Sequence, residues 1–153
     1  MYAKAKKCIS FLYRIRNKEI EYCVFYRRKD EFWQGLSGGV EDEEELNDTV
    51  KREVYEETGI CVKNILKLDT ISSIPGIYVN KNFNYKNNIF VVYEYGFGVK
   101  IDNEDIELSS EHKEYKWVSY DDAIKLLKYD SNITALFELN ERLVHDESIN
   151  NRS

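Results

Sequence analysis

The segment Gly38–Ile60, GGVEDEEELNDTVKREVYEETGI, is the most informative part of the chain and is called the acidic segment below. Three aliphatic residues in it recur every four positions, namely Leu46, Val50 and Val54. This spacing forms one apolar stripe along an α-helix. Gly59 stands where a glycine commonly ends a helix, so the pattern predicts a helix over about 46–58.

The same predicted helix carries three glutamates on one face, Glu53, Glu56 and Glu57. Residues three and four apart are neighbours on a helix surface, and like charges at that spacing repel one another. A bound hard cation would remove this repulsion, and an oxygen-only ligand set suits Mg²⁺ or Mn²⁺ better than zinc. Taken alone, the spacing is more typical of a solvated acidic helix face than of a metal site.

Fixed spacings also connect the glycines, the acidic residues and one arginine of the segment. Five residues separate Gly38 from Glu44, and seven separate Glu44 from the run Arg52–Ile60. The arrangement resembles the Nudix box of the Nudix hydrolase superfamily, G-x5-E-x7-R-E-U-x-E-E-x-G-U with U aliphatic, at every specified position. It departs from many relatives at Asp42–Glu43, where Pro-Gly is common, and at Glu45, where Ser or Thr usually caps the helix.

The resemblance implies a fold, a set of metal ligands and supporting residues. The implied fold is α+β, an α/β/α sandwich in which helices flank a mixed central β-sheet. The implied metal ligands are the Gly38 backbone carbonyl, Glu53, Glu56 and Glu57. Arg52 is implied to orient a catalytic glutamate, and Glu44 and Gly59 to support the loop and the helix of the box.

Aromatic and β-branched residues predict strands elsewhere, at Lys7–Ile15, Glu21–Arg27, Ile65–Ile74, Asn88–Tyr95 and Tyr115–Val118. Phe32–Val40 is predicted to be a short strand that runs into a glycine-containing loop at Gly38–Gly39. Two further helices are predicted at Ala123–Lys128 and Ile133–Leu143, with Ser119 and Ser131 as N-caps. Strands on both sides of one acidic helix, followed by terminal helices, indicate an α+β or α/β sandwich. We expect one domain over residues 1–145 and a flexible polar tail over 146–153.

Two stretches outside the acidic segment, Phe32–Gly38 and Ser110–Val118, are similar to the bacterial branch that hydrolyses dATP and dihydroneopterin triphosphate. This resemblance implies that Glu111 is a further metal ligand or the general base, although a surface carboxylate stays an alternative. It also implies substrate contacts, which involve Trp33, Gln34 and Gly39. A core role for Trp33 is equally compatible with the sequence. Trp117 is expected in the core, and His112 is expected at the surface or in a structural role.

The sequence thus predicts a magnesium-dependent pyrophosphohydrolase, with Mn²⁺ as a substitute, that converts a nucleoside triphosphate or a pterin triphosphate into a monophosphate and pyrophosphate. Either Glu53 or Glu111 would be the general base. Pro75 resembles a marker of ADP-ribose pyrophosphatases, although Tyr78–Asn80 stand where a glutamate is expected, so such a substrate is an alternative. A non-catalytic nucleotide sensor and a structural acidic protein are alternatives from other classes.

Composition limits the partners and the location. The formal charge of −6 argues against nucleic acid as a partner, because its phosphates are bound by clustered Lys and Arg. No apolar run approaches the ~18 residues of a membrane helix, so we expect no membrane partner and a cytoplasmic location. Three cysteines without metal-ligand spacing are expected to be reduced thiols. The expected partner is a small nucleotide or pterin triphosphate, and the oligomeric state is not predicted.

Overall fold

The computed structural model describes residues 5–79, 88–102, 104–110 and 112–146, which form a seven-stranded mixed sheet and four helices. The strands are β1 (Lys6–Arg16), β2 (Glu19–Arg27), β3 (Phe32–Gln34), β4 (Leu36–Gly39), β5 (Asn64–Pro75), β6 (Val91–Lys100) and β7 (His112–Val118). The helices are α1 (Leu46–Thr58), α2 (Gly76–Val79), α3 (Tyr120–Leu126) and α4 (Asp130–Val144). Strands β2, β1, β6 and β5 lie side by side; β3 and β7 pair with β2, and β4 pairs with β1.

The sheet is mixed because one of its pairings is parallel. β1 runs parallel to β6, whereas its pairings with β2 and β4 are antiparallel. Two clusters of buried side chains lie on its two faces. Val50 and Val54 of α1 pack with Leu12 and Phe25, while Leu136 of α4 packs with residues of the opposite face. Burying each such side chain contributes about 1.5–3 kcal/mol. The predicted fold class, helices flanking a mixed sheet, is confirmed.

Helix α1 has the predicted bounds, and both of its ends are capped. Gly59 adopts φ +77°, and its N–H donates to the Tyr55 carbonyl over 2.8 Å. At the other end the Glu45 N–H donates to Asp48 Oδ2 over 3.1 Å. Glu45 stands where Ser or Thr usually caps the helix, and Asp48 supplies part of the missing capping through this hydrogen bond.

The prediction of one short strand from Phe32 that runs into a loop at Gly38–Gly39 is wrong, because the chain changes partner at Gly35 and both glycines belong to the second strand, β4. β3 pairs with β2, whereas β4 pairs with β1. A Cβ atom at Gly35 would lie 2.9 Å from the Ser10 carbonyl oxygen, so only glycine fits here. The Gly35 N–H leaves the strand ladder and donates to Asn132 Oδ1 over 2.9 Å.

The predicted bounds of the next strand, Asn88–Tyr95, are also wrong, since β6 begins at Val91 and extends to Lys100. Glycine weakens the interior of a strand, so Gly96 and Gly98 favoured the prediction that the strand ends at Tyr95. In the structure these glycines make room for the helix packed against the sheet. A Cβ atom at Gly98 would lie 2.4 Å from Leu139 Cδ1 of α4.

The C-terminal part of the chain follows the prediction with three corrections. Helix α3 spans Tyr120–Leu126 rather than Ala123–Lys128. β7 begins at His112 rather than at Tyr115. Ser119 caps α3 as predicted, since its side chain accepts from the Asp122 N–H over 3.2 Å. Ser131 is not an N-cap, because α4 begins earlier and Tyr129 occupies that position. Of the predicted tail, residues 147–153 lie outside the described residues.

Two other predictions concern the thiols and the membrane. Cys8, Cys23 and Cys61, all within the described part of the chain, are free, and the first two are buried. No helix among the described residues is both long and apolar enough to cross a membrane.

Candidate active site

Helix α1 brings the three glutamates of the acidic segment to the end of β4, where Gly38 and Gly39 lie. Glu57 is buried, and the Glu53 side chain is only 16% exposed, whereas that of Glu56 is 50% exposed. The three residues are therefore not a uniformly solvated helix face. Glutamates are rarely buried without partners, so their contacts define what the site can do.

Gly38 lies directly against the Glu53 side chain. A Cβ atom at Gly38 would be 2.0 Å from Glu53 Cδ, a distance at which any side chain would collide. Gly39 is different, because a Cβ atom there would meet nothing within 4 Å. Close approach of the backbone to the Glu53 carboxylate thus explains why position 38 requires glycine. It does not explain the glycine at position 39.

Arg52 connects the loop to the acidic helix. Its Nε donates to Glu44 Oε2 over 2.7 Å, and its Nη2 donates to the Gly39 carbonyl over 2.8 Å. Its Nη1 donates to Glu53 Oε1 over 2.7 Å and to Glu56 Oε1 over 2.9 Å. A guanidinium with this many charge-assisted hydrogen bonds fixes the direction of each carboxylate.

The same arginine and the depth of burial set two pKa values. Burial raises the pKa of Glu53 to about 6, against the opposing effect of Arg52 and with some help from Glu56 and Glu57. Hydrogen bonds from Arg52 lower the pKa of Glu44 to about 2. Two carboxyl groups on one arginine therefore differ strongly in acidity, and the more weakly acidic one adjoins Gly38.

Glu57 is held from the other side by residues of the β6–β7 connection and of β7. Ser109 Oγ donates to Glu57 Oε2, and the Ser109 N–H donates to the Glu57 carbonyl over 3.1 Å. His112 Nδ1 lies 3.1 Å from Glu57 Oε2. His112 is buried and its ring lies 5.4 Å from that of Phe25, so a surface position for it is wrong.

Sequence reasoning missed the contact of Glu57 with Ser109 and His112. His112 is 55 residues from Glu57, and no spacing rule connects two residues so far apart. The only available signal was the resemblance of Ser110–Val118 to a known stretch, which drew attention to Glu111 instead. Glu111 lies outside the described residues, and its predicted roles stay predictions.

Of the predicted substrate residues, Gly39 lies beside the carboxylates, because its carbonyl accepts from the Arg52 side chain that also holds Glu53 and Glu56. Trp33 and Gln34 lie on opposite faces of β3. Trp33 packs with the cluster under α3 and α4, on the face opposite α1; its ring lies 5.2 Å from that of Tyr26, with Lys116 Nζ 4.8 Å above it. Gln34 is buried and pairs with Phe25, whose side chain faces α1. Trp117 packs partly buried against the core under α1, as expected.

Comparison with known proteins identifies the family to which this arrangement belongs. The model of the NUDIX domain matches residues 9–138 of the chain. The chain belongs to the NUDIX family. The acidic segment is therefore its NUDIX box, and the prediction of this family is confirmed.

Three relatives of this NUDIX protein are similar over most of their length. Dihydroneopterin triphosphate diphosphatase from Haemophilus influenzae is 29% identical over 132 residues, 83% of this chain and 84% of the relative. A Listeria monocytogenes structure described as a NUDIX hydrolase is 38% identical with a TM-score of 0.79, covering 90% of this chain and 93% of that one. The Escherichia coli dihydroneopterin triphosphate pyrophosphohydrolase structure is 25% identical with a TM-score of 0.74, covering 92% and 99%. The chain is thus a NUDIX hydrolase, and the expected enzyme class, acting on diphosphate bonds, is confirmed.

The NUDIX box offers donors of the kind that a hard cation prefers. They are the carboxylate oxygens of Glu53, Glu56 and Glu57, which share one turn of α1, and the carbonyl oxygen of Gly38 in β4. In the part of the chain that the structure describes, no three His, Cys, Asp or Glu side chains already form a group able to hold a metal ion. Arg52 engages Glu53 and Glu56, while His112 and Ser109 engage Glu57. The donor atoms are of the kind that Mg²⁺ prefers. In the structure, however, the three glutamate side chains are directed at Arg52, Ser109 and His112.

Proposed function

We propose that this NUDIX hydrolase is a magnesium-dependent pyrophosphohydrolase of nucleoside triphosphate-like substrates, either dNTPs or dihydroneopterin triphosphate. The expected products are a monophosphate and pyrophosphate. The observation that carries the proposal is the placement of Glu53 against Gly38, with Glu56 and Glu57 on the same helical turn. This arrangement concentrates carboxylate oxygens at one end of a sheet, where a phosphate chain needs a neutralising cation.

Glu53, Glu56 and Glu57, together with the Gly38 carbonyl, would hold Mg²⁺, and Mn²⁺ is the expected substitute. Bound there, Mg²⁺ supplies activation of water and neutralisation of charge on the phosphates. Arg52 keeps Glu53 and Glu56 in one direction, and His112 and Ser109 do the same for Glu57. Such supporting contacts commonly matter 10- to 100-fold for metal affinity or activity.

A carboxylate must accept the proton of the attacking water. Glu53 is one candidate because its Oε1 is fixed by Arg52 and its side chain lies against Gly38. Burial raises its pKa to about 6 in the metal-free protein, and a bound Mg²⁺ would lower that pKa. Glu111 is the other candidate, on the resemblance stated above. Substitution of each by Gln, with rates followed against pH, separates them.

The relatives favour a triphosphate over ADP-ribose as the substrate. Two of them act on dihydroneopterin triphosphate, by the names of the Haemophilus influenzae and Escherichia coli proteins. The feature that pointed to ADP-ribose, Pro75, ends β5 and is followed directly by the short helix α2. A proline at a strand end needs no functional explanation.

The test is hydrolysis of a panel of substrates with Mg²⁺ and separately with EDTA. The panel contains the dNTPs, dihydroneopterin triphosphate, 8-oxo-dGTP and ADP-ribose, and products are identified by chromatography. Pyrophosphate released from a triphosphate only when Mg²⁺ is present would support the proposal. Release of orthophosphate, preference for ADP-ribose, or nucleotide binding without turnover would contradict it.

A further inference from the structure

A second group of polar side chains lies at the same end of the sheet but on the face that carries α4. Lys7 of β1 and Glu94 of β6 are directly paired across the two strands. Lys7 Nζ lies 3.7 Å from Glu94 Oε2, and the two side chains are only 18% and 5% exposed. This distance is too long for a hydrogen bond. The two side chains therefore form an ion pair, and each keeps hydrogen-bonding capacity for another partner.

Two buried oxygen atoms at this place lack partners. Oε1 of Glu94 is buried and has no hydrogen-bond partner among the described residues. The same holds for Oγ of Ser37 when only the described chain is considered. Buried polar atoms are nearly always satisfied in native proteins, so an exception calls for a specific explanation. A bound molecule with suitable donors would provide one.

The strand register places the three residues next to one another and close to the NUDIX box. On β4, Gly39 pairs with Lys7, and Ser37 pairs with Ile9, so Ser37 is a diagonal neighbour of Lys7 on one face. Ile9 belongs to the cluster under α4, which identifies that face. Glu53 is near enough to raise the pKa of Lys7, although burial lowers it overall.

The chemistry of this group selects among heterocyclic rings. A carboxylate with a free oxygen pairs best with two adjacent N–H donors, and an ammonium beside it pairs with a carbonyl. A 2-amino-4-oxopyrimidine edge, shared by guanine and pterin, presents this pattern through its ring N–H, its amino group and its carbonyl. Adenine and cytosine present a ring acceptor beside the amino group, and thymine has a single N–H between two carbonyls.

We propose that Lys7 and Glu94, with Ser37 beside them, bind the 2-amino-4-oxopyrimidine edge of a guanine or pterin ring in the substrate. Glu94 accepts from the ring N–H and the amino group, and Lys7 donates to the carbonyl. Lys7 is the more exposed of the two side chains. This inference rests on the proposed function and narrows its substrate class to triphosphates that carry such a ring.

The test compares dGTP with dITP, which lacks only the 2-amino group, and with dATP. For the unaltered protein we expect kcat/KM for dGTP to exceed that for dITP and dATP by about 10-fold or more, since a site built to hydrogen-bond a group rejects the analogue without it. In Glu94→Gln the advantage of dGTP over dITP should fall below about 3-fold, because an amide has a single acceptor oxygen and cannot accept from both the ring N–H and the amino group. The matched control is Glu114→Gln, at an exposed position of β7.

Several outcomes distinguish this inference from the proposed function. Equal kcat/KM for dGTP, dITP and dATP would overturn the ring assignment and leave the hydrolase proposal intact, and so would a Glu94→Gln variant with an unchanged preference for dGTP. If Glu94→Gln fails to fold, the comparison of dGTP with dITP on the unaltered protein still shows whether the 2-amino group of the ring is recognised. If no triphosphate is hydrolysed, the proposed function fails. Calorimetry with dGMP and dIMP then tests the ring site alone, and equal affinities would overturn it.

Discussion

At the scale of single residues, Glu53 shows how burial and one arginine act in opposite directions on a carboxyl group. Burial raises its pKa to about 6, whereas Arg52, at 2.7 Å, favours the ionised form. In the metal-free protein the result is a carboxyl group whose pKa lies near neutral pH and whose direction is fixed, and a bound Mg²⁺ would favour its ionised form. Its neighbour Glu57 has other partners, and its expected role is to bind the cation rather than to accept the proton.

Glu57→Gln should lower kcat by about three orders of magnitude or more, because an amide cannot supply the negative charge that a hard cation requires. Gln has nearly the same shape and still reaches His112 and Ser109, so the thermal midpoint should move by only a few degrees. Steady-state rates and thermal unfolding measure the two effects. Glu43→Gln, at an exposed position of the same segment, is the control. A near-normal rate in Glu57→Gln would remove this residue from the metal site.

Glu44→Gln should destabilise the protein by about 1–3 kcal/mol at neutral pH, through loss of charge-assisted hydrogen bonds with Arg52. The folded-state pKa of Glu44, about 2, lies below its ordinary value of 4.5. Its contribution is therefore present above about pH 4.5 and is lost as the pH falls towards about 2. Urea unfolding in EDTA should show a difference between the proteins that shrinks over this window. A pH-independent difference would show that packing, not charge, is responsible.

At the scale of elements, the contact of β6 with α4 explains why the strand end was mispredicted. A glycine inside a strand usually weakens it, and the pattern around Gly96 and Gly98 therefore indicates an end. Here Gly98 lies under Leu139, and Gly96 lies under Leu68 and Ala135. The requirement for glycine comes from the packing of a helix that is distant in sequence, which no local pattern contains.

Gly98→Ala should consequently destabilise the protein by about 1–3 kcal/mol, since its Cβ atom would be 2.4 Å from Leu139 Cδ1. Gly39→Ala is the matched control, because a Cβ atom there meets nothing within 4 Å. Its stability should change by less than about 0.5 kcal/mol. Urea denaturation of both variants provides the comparison. Equal stabilities of the two variants would contradict the packing assigned to α4.

The start of β7 gives a second prediction, because it places His112 under α1 and against Glu57. His112→Ala should raise the Mg²⁺ concentration needed for half-maximal rate by 10- to 100-fold, since a ligand without its supporting contact binds metal less well. His112→Asn should restore much of the affinity, as its amide N–H can take the place of Nδ1. A purely packing role would affect stability in both variants and leave the Mg²⁺ dependence unchanged, and that result would refute the assignment.

At the scale of the whole molecule, the features that sequence reasoning recovered are those encoded locally. The four-residue period of Leu46, Val50 and Val54 and the glycine at position 59 gave helix α1 with its correct bounds. The spacing of the acidic segment gave the family and, through it, the sandwich fold. Each of these signals lies within one continuous segment, residues 38–60, where local backbone geometry relates the residues.

The features that were missed depend on contacts between distant parts of the chain. For Trp33 the sequence left a substrate contact and a core role equally open, and the register of β3 on β2 places its side chain on the face under α4. The change of partner at Gly35 and the burial of Glu94 likewise follow from which strands become neighbours. Topology decides such positions, and a single sequence does not specify the neighbours of a strand.

The most direct test of the whole account is calorimetric titration of the protein with Mg²⁺ and Mn²⁺, in the absence and presence of a slowly hydrolysed nucleotide. We expect saturable uptake by the unaltered protein, strengthened by nucleotide, and its loss in a Glu53→Gln, Glu57→Gln double variant that remains folded. Uptake should also raise the thermal midpoint, since binding to the native state stabilises it. Absence of uptake of either cation, even with nucleotide bound, would contradict the assignment of the NUDIX box glutamates as a metal site.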